Sequence, residues 1–120
     1  MKALFDTNIL IDYLQGIVEA GKEIEQYKDP QISVITKIEI LVGTTEDDEQ
    51  AIREFLNNFT VINLNEEICE IAISLRKKHR IKIPDAIIWA TAQYNNGLLI
   101  TRNIKDFPNH SSDIKIPYYI

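Results

Sequence analysis

A single cysteine, Cys69, leaves the chain without an internal disulfide, so its stability must come from packing rather than cross-links. Four glycines and four prolines in 120 residues are too few for a collagen-like or linker-rich chain, and no repeat or low-complexity tract is present. Long apolar runs are missing too: Ala86-Ile87-Ile88-Trp89-Ala90 is among the longest and falls far short of a bilayer span. Lys2 is followed almost at once by Asp6, without the apolar stretch of a secretory signal. Basic residues are in the minority, 13 Lys and Arg against 18 Asp and Glu, for a formal net charge of −5 at pH 7. That balance argues against a passive polyanion-binding module, which is ordinarily basic. It remains compatible with a nuclease, because bound divalent ions reverse the local field of an acidic cluster. Together these features predict one cytoplasmic domain over residues 1–120, with no membrane association.

What the sequence does contain is an alternation of strand and helix signals. Residues 2–5 suit a short buried strand, and the apolar residues of 9–14 fit a short helix stopped near Gly16. A modest amphipathic helix follows over 17–28, ended by Asp29-Pro30, and the β-branched run 32–35 reads as a second strand. Thr36 opens a helix that ends before Gly43. Ile52, Phe55, Leu56 and Phe59 recur at i, i+3, i+4 and i+7 and mark a helix within 47–59. Val61-Ile62 is a third strand, and Asn65 caps a longer helix with a buried stripe of Ile68, Ile71, Ala72 and Leu75. Pro84 stands in the first turn of a further helix ending at Asn96-Gly97. Leu98-Leu99-Ile100 is the fourth strand and 114–118 a short fifth. This alternation predicts an α/β fold, a three-layer α/β/α domain around a parallel sheet of four to five strands.

Four carboxylates, Asp6, Glu39, Asp85 and Asp106, fall at strand ends or helix starts. In an open parallel sheet the carboxyl ends of the strands converge on one crevice. Each acid also has a plainer use. Asp6 suits a helix cap, Glu39 a Thr36-Lys37-Ile38-Glu39 capping box, Asp85 a first-turn position behind Pro84, and Asp106 a turn cap. An acid at every such turn goes beyond what capping needs, and four acids in one crevice repel unless a cation joins them. Oxygen-only ligands point to Mg²⁺ or a similar hard divalent ion. Thr7, Asn8, Thr101 and Asn103 place hydroxyl and amide groups beside the carboxylates, suited to water-mediated support of such an ion.

Four segments carry a resemblance. They are Asp6-Thr7-Asn8-Ile9-Leu10-Ile11-Asp12, then Thr36-Lys37-Ile38-Glu39, then Ile83-Pro84-Asp85-Ala86-Ile87-Ile88-Trp89-Ala90-Thr91-Ala92, and finally Leu99-Ile100-Thr101-Arg102-Asn103-Ile104-Lys105-Asp106-Phe107. In this order they span nearly the whole chain, which resembles the PIN-domain ribonucleases and, among them, the VapC toxins of prokaryotic toxin–antitoxin pairs. The resemblance implies metal-dependent endonucleolytic cleavage of RNA with Mg²⁺, or Mn²⁺ in its place, and a metal-activated water. Asp6, Glu39 and Asp85 match the family's three core acidic ligands. Many relatives carry Thr-x-Asp after the fourth strand. Here that slot holds Asn103 and an acid follows at Asp106, so either residue completes the set. Thr7 and Thr101 match residues that line the site in relatives, and Asp12 is assigned to structure or support. The resemblance further implies a homodimer with two sites along a shared groove. It also implies inhibition by a small antitoxin protein; Tyr13, Leu14, Ile17 and Val18 fit apolar contacts with it or core packing equally well.

Beyond the acids, Arg76, Lys77, Lys78, Arg80 and Lys82 form a basic cluster upstream of Asp85, fit either to guide RNA or simply to favour a helix C-terminus. Arg102 and Lys105 flank the fourth acid and are the stronger candidates for phosphate contact, with Arg80 and Lys82 beside them. His79 and His110 read as surface residues, Cys69 as a small buried hydrophobe, and 86–92 as a helix covered on several sides by its own fold or by a second subunit. Two rival readings fit the residues less well. A Mg²⁺-dependent phosphatase would want a second acid two residues after Asp6, where Asn8 stands. A catalytically silent RNA-binding scaffold would not need the intact core acids.

Overall fold

Parallel strands cannot be joined by hairpins, so the chain must cross back over the sheet after each one. The computed structural model describes residues 2–108 and 111–120. Its elements run β1 (Ala3–Phe5), α1 (Thr7–Leu14), α2 (Val18–Glu25), β2 (Pro30–Ser33), α3 (Val34–Val42), α4 (Glu49–Leu56), β3 (Thr60–Ile62), α5 (Glu66–His79), α6 (Ile83–Tyr94), β4 (Leu98–Ile100) and β5 (Ile114–Lys115). All strand pairs are parallel, in the order β3-β2-β1-β4-β5. Strand side chains alternate between faces. Leu4 and Leu99 pack with Ile68, Leu75, Ile88 and Trp89, whereas Ala3, Phe5 and Ile100 pack with Ile9, Leu10, Leu56 and Phe59. The result is the expected α/β arrangement, with five strands.

The order of strands positions the site. From β1 the chain steps to β2 and β3 on one side, then returns through α5 and α6 to place β4 on the other side of β1. The winding therefore reverses between β1 and β4, and a crevice opens beyond their carboxyl ends. Asp6 and Thr101 are the first residues after those two strands.

Several local expectations are corrected. The β-branched run 32–35 is divided: Ile32 and Ser33 close β2, while Val34 and Ile35 open α3. Ser33, not Thr36, is the cap, its Oγ accepting the Ile35 N–H at 3.1 Å. A good cap and an apolar face override the strand preference of two β-branched residues. The second helix spans Val18–Glu25, shorter than 17–28, and β5 is limited to Ile114–Lys115. Asn65 caps α5 as expected, its Oδ1 accepting the Ile68 N–H at 2.8 Å.

On α5 the buried side carries Ile68, Ala72 and Leu75. Cys69, one residue further along, is rotated by about 100° from Ile68 and is exposed rather than buried. His79 is half-buried, its ring 5.0 Å from that of Trp89, and so is not a plain surface residue. His110 lies outside the described residues. On α6 Ala86, Ile88, Trp89, Ala90 and Ala92 are buried within the chain's own fold. The Trp89 indole N–H donates to Asp113 Oδ2 at 2.9 Å, so a large apolar ring is buried with its polar edge satisfied. Among the described residues no helix is long and apolar enough to cross a membrane.

Candidate active site

Asp6 sits at the mouth of the crevice and is only 4% exposed. Its backbone N–H extends the β1–β4 pairing by donating to the Ile100 carbonyl at 2.9 Å. Its extended backbone makes it the cap of α1, with Oδ1 accepting the Thr7 N–H at 2.7 Å. Oδ2 accepts the Thr101 hydroxyl at 2.8 Å, across from the end of β4, and the Asn8 side-chain amide at 3.4 Å. Every direct partner of this buried carboxylate is a neutral donor.

Burial raises the Asp6 pKa from its ordinary value near 3.8 to about 6. The hydroxyl of Thr101 and the N–H of Thr7 act against that rise, while the charges of Asp85 and Glu39 add to it. The same pattern holds at Asp85, in the first turn of α6. Its pKa is raised by burial, then by Asp106 and Glu39, with Lys82 pulling it down. Asp6 thus senses the charges of Asp85 and Glu39, and Asp85 those of Asp106 and Glu39.

Glu39 enters from α3. Because Ser33 caps that helix, Thr36 and Glu39 lie inside it, and the capping-box use of Glu39 does not apply. The Glu39 Oε1 instead accepts the Thr7 hydroxyl at 2.7 Å, and the Thr7 Oγ1 lies 2.9 Å from the fully buried Thr36 Oγ1. Thr36 thus joins the site as a residue that sequence reasoning placed only in a cap. Asp106 is held by Asn103, whose Nδ2 donates to Asp106 Oδ2 at 2.8 Å. The Asn103 Oδ1 accepts the backbone N–H groups of Lys105 and Asp106, both at 3.2 Å, so its oxygen closes a turn.

Among the described residues no three Asp, Glu, His or Cys side chains converge closely enough to share one ion directly. Glu39 accepts from Thr7 and Asp106 from Asn103, both neutral donors. Mg²⁺ needs only one or two direct carboxylates and keeps several waters. An all-oxygen donor set around a buried, cation-free Asp6 fits that ion.

A model of the PIN domain matches residues 3–111. The chain belongs to the PIN-domain family. It is 30% identical to Ribonuclease VapC2 of Methanocaldococcus jannaschii, with 78% of each chain covered. A solved toxin–antitoxin complex from Klebsiella pneumoniae contains a chain 44% identical to it, with a TM-score of 0.92 over 98% of this chain and 99% of the other. VapBC-1 from nontypeable Haemophilus influenzae is 28% identical, with a TM-score of 0.70 over 89% and 90% of the two chains.

The basic residues of this PIN domain divide into distinct groups. Lys82 lies close enough to Asp85 to lower its pKa, which ties the end of the upstream basic cluster to the acidic crevice. Arg80 is exposed and occupies the left-handed C-cap of α5 at φ 56°, and Arg76 donates to the Ile81 carbonyl at 2.7 Å. Arg102, expected as a free phosphate contact, is instead tied down. Its Nε and Nη2 both donate to Asp12, Nη2 at 2.8 Å, while Tyr118 Oη donates to the same carboxylate at 2.8 Å. Asp12 is 2% exposed, and burial alone would raise its pKa. The bonds from Arg102 and Tyr118, with the Arg102 charge, hold it below the ordinary value. Nothing in local sequence links residues 90 or more positions apart; their pairing follows from β4 lying beside β1.

Proposed function

We propose that this chain is a metal-dependent endoribonuclease, the toxin of a toxin–antitoxin pair, and that Asp6, Glu39, Asp85 and Asp106 hold a Mg²⁺ or Mn²⁺ ion, one or two of them directly and the others through its bound waters. The observation that carries the reading is Asp6: a sealed carboxylate with acidic neighbours and no cation bonded to it. Such a group is destabilising in isolation and becomes favourable once a divalent ion binds. Asp106 is the better fourth ligand, because the Asn103 oxygen is already engaged with backbone N–H groups. Thr7 and Thr101 orient Glu39 and Asp6, and Asn103 orients Asp106. When bound, the ion supplies positive charge to the scissile phosphate and makes water more acidic. The chain's own part is to hold the carboxylates in register and bring RNA phosphates past Lys82.

The same reading includes a small antitoxin protein and a homodimer. Ile73, Ile83, Ala86 and Ile87 line an apolar groove of about 310 Å³ with Cys69, suited to a second subunit. Tyr13, Leu14 and Val18 are exposed on the first helices, where a partner chain would find apolar contacts. Purified protein is expected to cut single-stranded RNA in Mg²⁺ and to stop when the ion is chelated. Asp6→Asn is expected to keep the fold and lose cleavage. Equal cleavage by Asp6→Asn, or cleavage unaffected by chelator, would remove the assignment.

A further inference from the structure

Beside the acidic crevice lies a cleft of about 420 Å³ lined by Asn8, Arg102, Asn103, Lys105 and Tyr119. It differs from the crevice: Lys105 is its free cation among the described residues, Arg102 is paired with Asp12, Ile104 and Ile120 are apolar, and Tyr119 is 76% exposed. The two are joined through Asn8, whose amide reaches Asp6 Oδ2 at 3.4 Å and whose Oδ1 accepts the Arg102 N–H at 3.5 Å. Asn103 belongs to both as well, since it lines the cleft and holds Asp106. Arg102 is braced by Asp12, which the Tyr118 hydroxyl also holds, so its guanidinium is fixed in place rather than free to swing. Lys105 is exposed and without a side-chain partner among the described residues.

Resting on the ribonuclease reading above, we infer that this cleft binds the nucleotide next to the scissile phosphate in single-stranded RNA. Lys105 contacts a backbone phosphate, the braced Arg102 fixes the cleft's positive wall, and Tyr119 stacks on an unpaired base. An acidic crevice repels the substrate on both sides of the reacting phosphate, so an adjoining cationic cleft is where the flanking chain can settle. A base can stack on Tyr119 only if it is unpaired, which selects single strands over duplex.

The test uses the full chain carrying Asp6→Asn, so that RNA is bound without being cut. Fluorescein-labelled single-stranded RNA of mixed sequence is titrated at several salt concentrations and followed by anisotropy. Adding Tyr119→Ala is expected to weaken binding about tenfold with the salt slope unchanged, and Tyr119→Phe to restore it. Adding Lys105→Ala is expected to reduce the slope of log affinity against log salt by about 0.7, the loss of one phosphate contact. A merely structural role for either residue would move neither quantity in this way. Affinity and slope unchanged by Lys105→Ala and Tyr119→Ala, while the wild type still cleaves RNA, overturns the cleft and leaves the ribonuclease standing. Unchanged RNA binding together with weakened retention of the antitoxin assigns the cleft to a protein partner and likewise overturns it. No RNA binding and no cleavage by the wild type removes both.

Discussion

Two aspartates at the two ends of α1 are both nearly sealed from solvent, yet they are in opposite electrostatic states. Asp12 is matched inside the chain by Arg102 and Tyr118, and its pKa is lowered. Asp6 accepts hydrogen bonds only from neutral donors and has acidic neighbours, with Arg102 acting on it only from a distance while bonded to Asp12, and its pKa is raised to about 6. Both are nearly closed to solvent, but Asp6 lies deeper in the protein and also lacks the bonded cation that Asp12 has. One is a structural brace whose counter-charge the fold supplies. The other is left short of positive charge, which a bound ion would provide. This contrast separates a functional buried acid from a structural one better than burial alone.

Ways to break the contrast can be ranked by size. Asp6→Asn should reduce RNA cleavage by about a thousandfold or more, as measured by single-turnover decay of labelled RNA. The same change should stabilise the metal-free protein near neutral pH. The folded-state pKa of Asp6 lies above the unfolded one, so the penalty builds as pH rises from about 3.8 to about 6 and is full above that. Removing it is worth on the order of 3 kcal/mol at pH 7 and close to nothing at pH 3. Thermal unfolding in chelator at both pH values checks this, and a loss of stability at pH 7 would contradict it.

Asp12→Asn should act in the other direction, destabilising by roughly 2 kcal/mol. That is less than for a fully buried pair, because the Arg102 side chain is about a third exposed and partly screened. Since the folded pKa of Asp12 is lowered, its contribution is present above about 3.8 and is lost as pH falls through the folded value. Urea unfolding of wild type and variant should therefore converge in strong acid. A smaller effect is expected from Thr101→Val, which removes the hydroxyl that holds Asp6 Oδ2. Mn²⁺ affinity by calorimetry should fall about tenfold with little change in unfolding temperature. Smallest of all, Lys82→Ala should weaken RNA binding by only a fewfold, and the difference should fade at high salt.

Much of the architecture was legible because it rests on local signals. The apolar triplet Leu98–Ile100 is a strand as read, Asn65 is a cap as read, and Pro84 stands in the first turn of α6. The boundary at 33–36 was misread because Ser33 and Thr36 are both competent caps, and only packing of Val34 and Ile35 decides between them. Asp6, Asp85 and Asp106 could be found from their place at the turns of an alternating chain, whereas Glu39 lies inside α3. Their partners could not. Arg102 and Asp12 meet only because β4 joins β1, so a cation placed by sequence at the phosphate proved to be a brace for the loop that follows β4. Cys69 shows the same limit on a smaller scale, since one residue of helical rotation moves it from core to surface.

The contrast between the two aspartates can be measured directly by following side-chain carboxyl carbons in ¹³C NMR across pH, with and without Mg²⁺. In metal-free protein the Asp6 signal should titrate near 6, and Mg²⁺ should shift it well below the ordinary carboxylate range while Asp12 stays low throughout. An Asp6 signal that titrates normally in chelator and ignores Mg²⁺ would contradict the account at its centre.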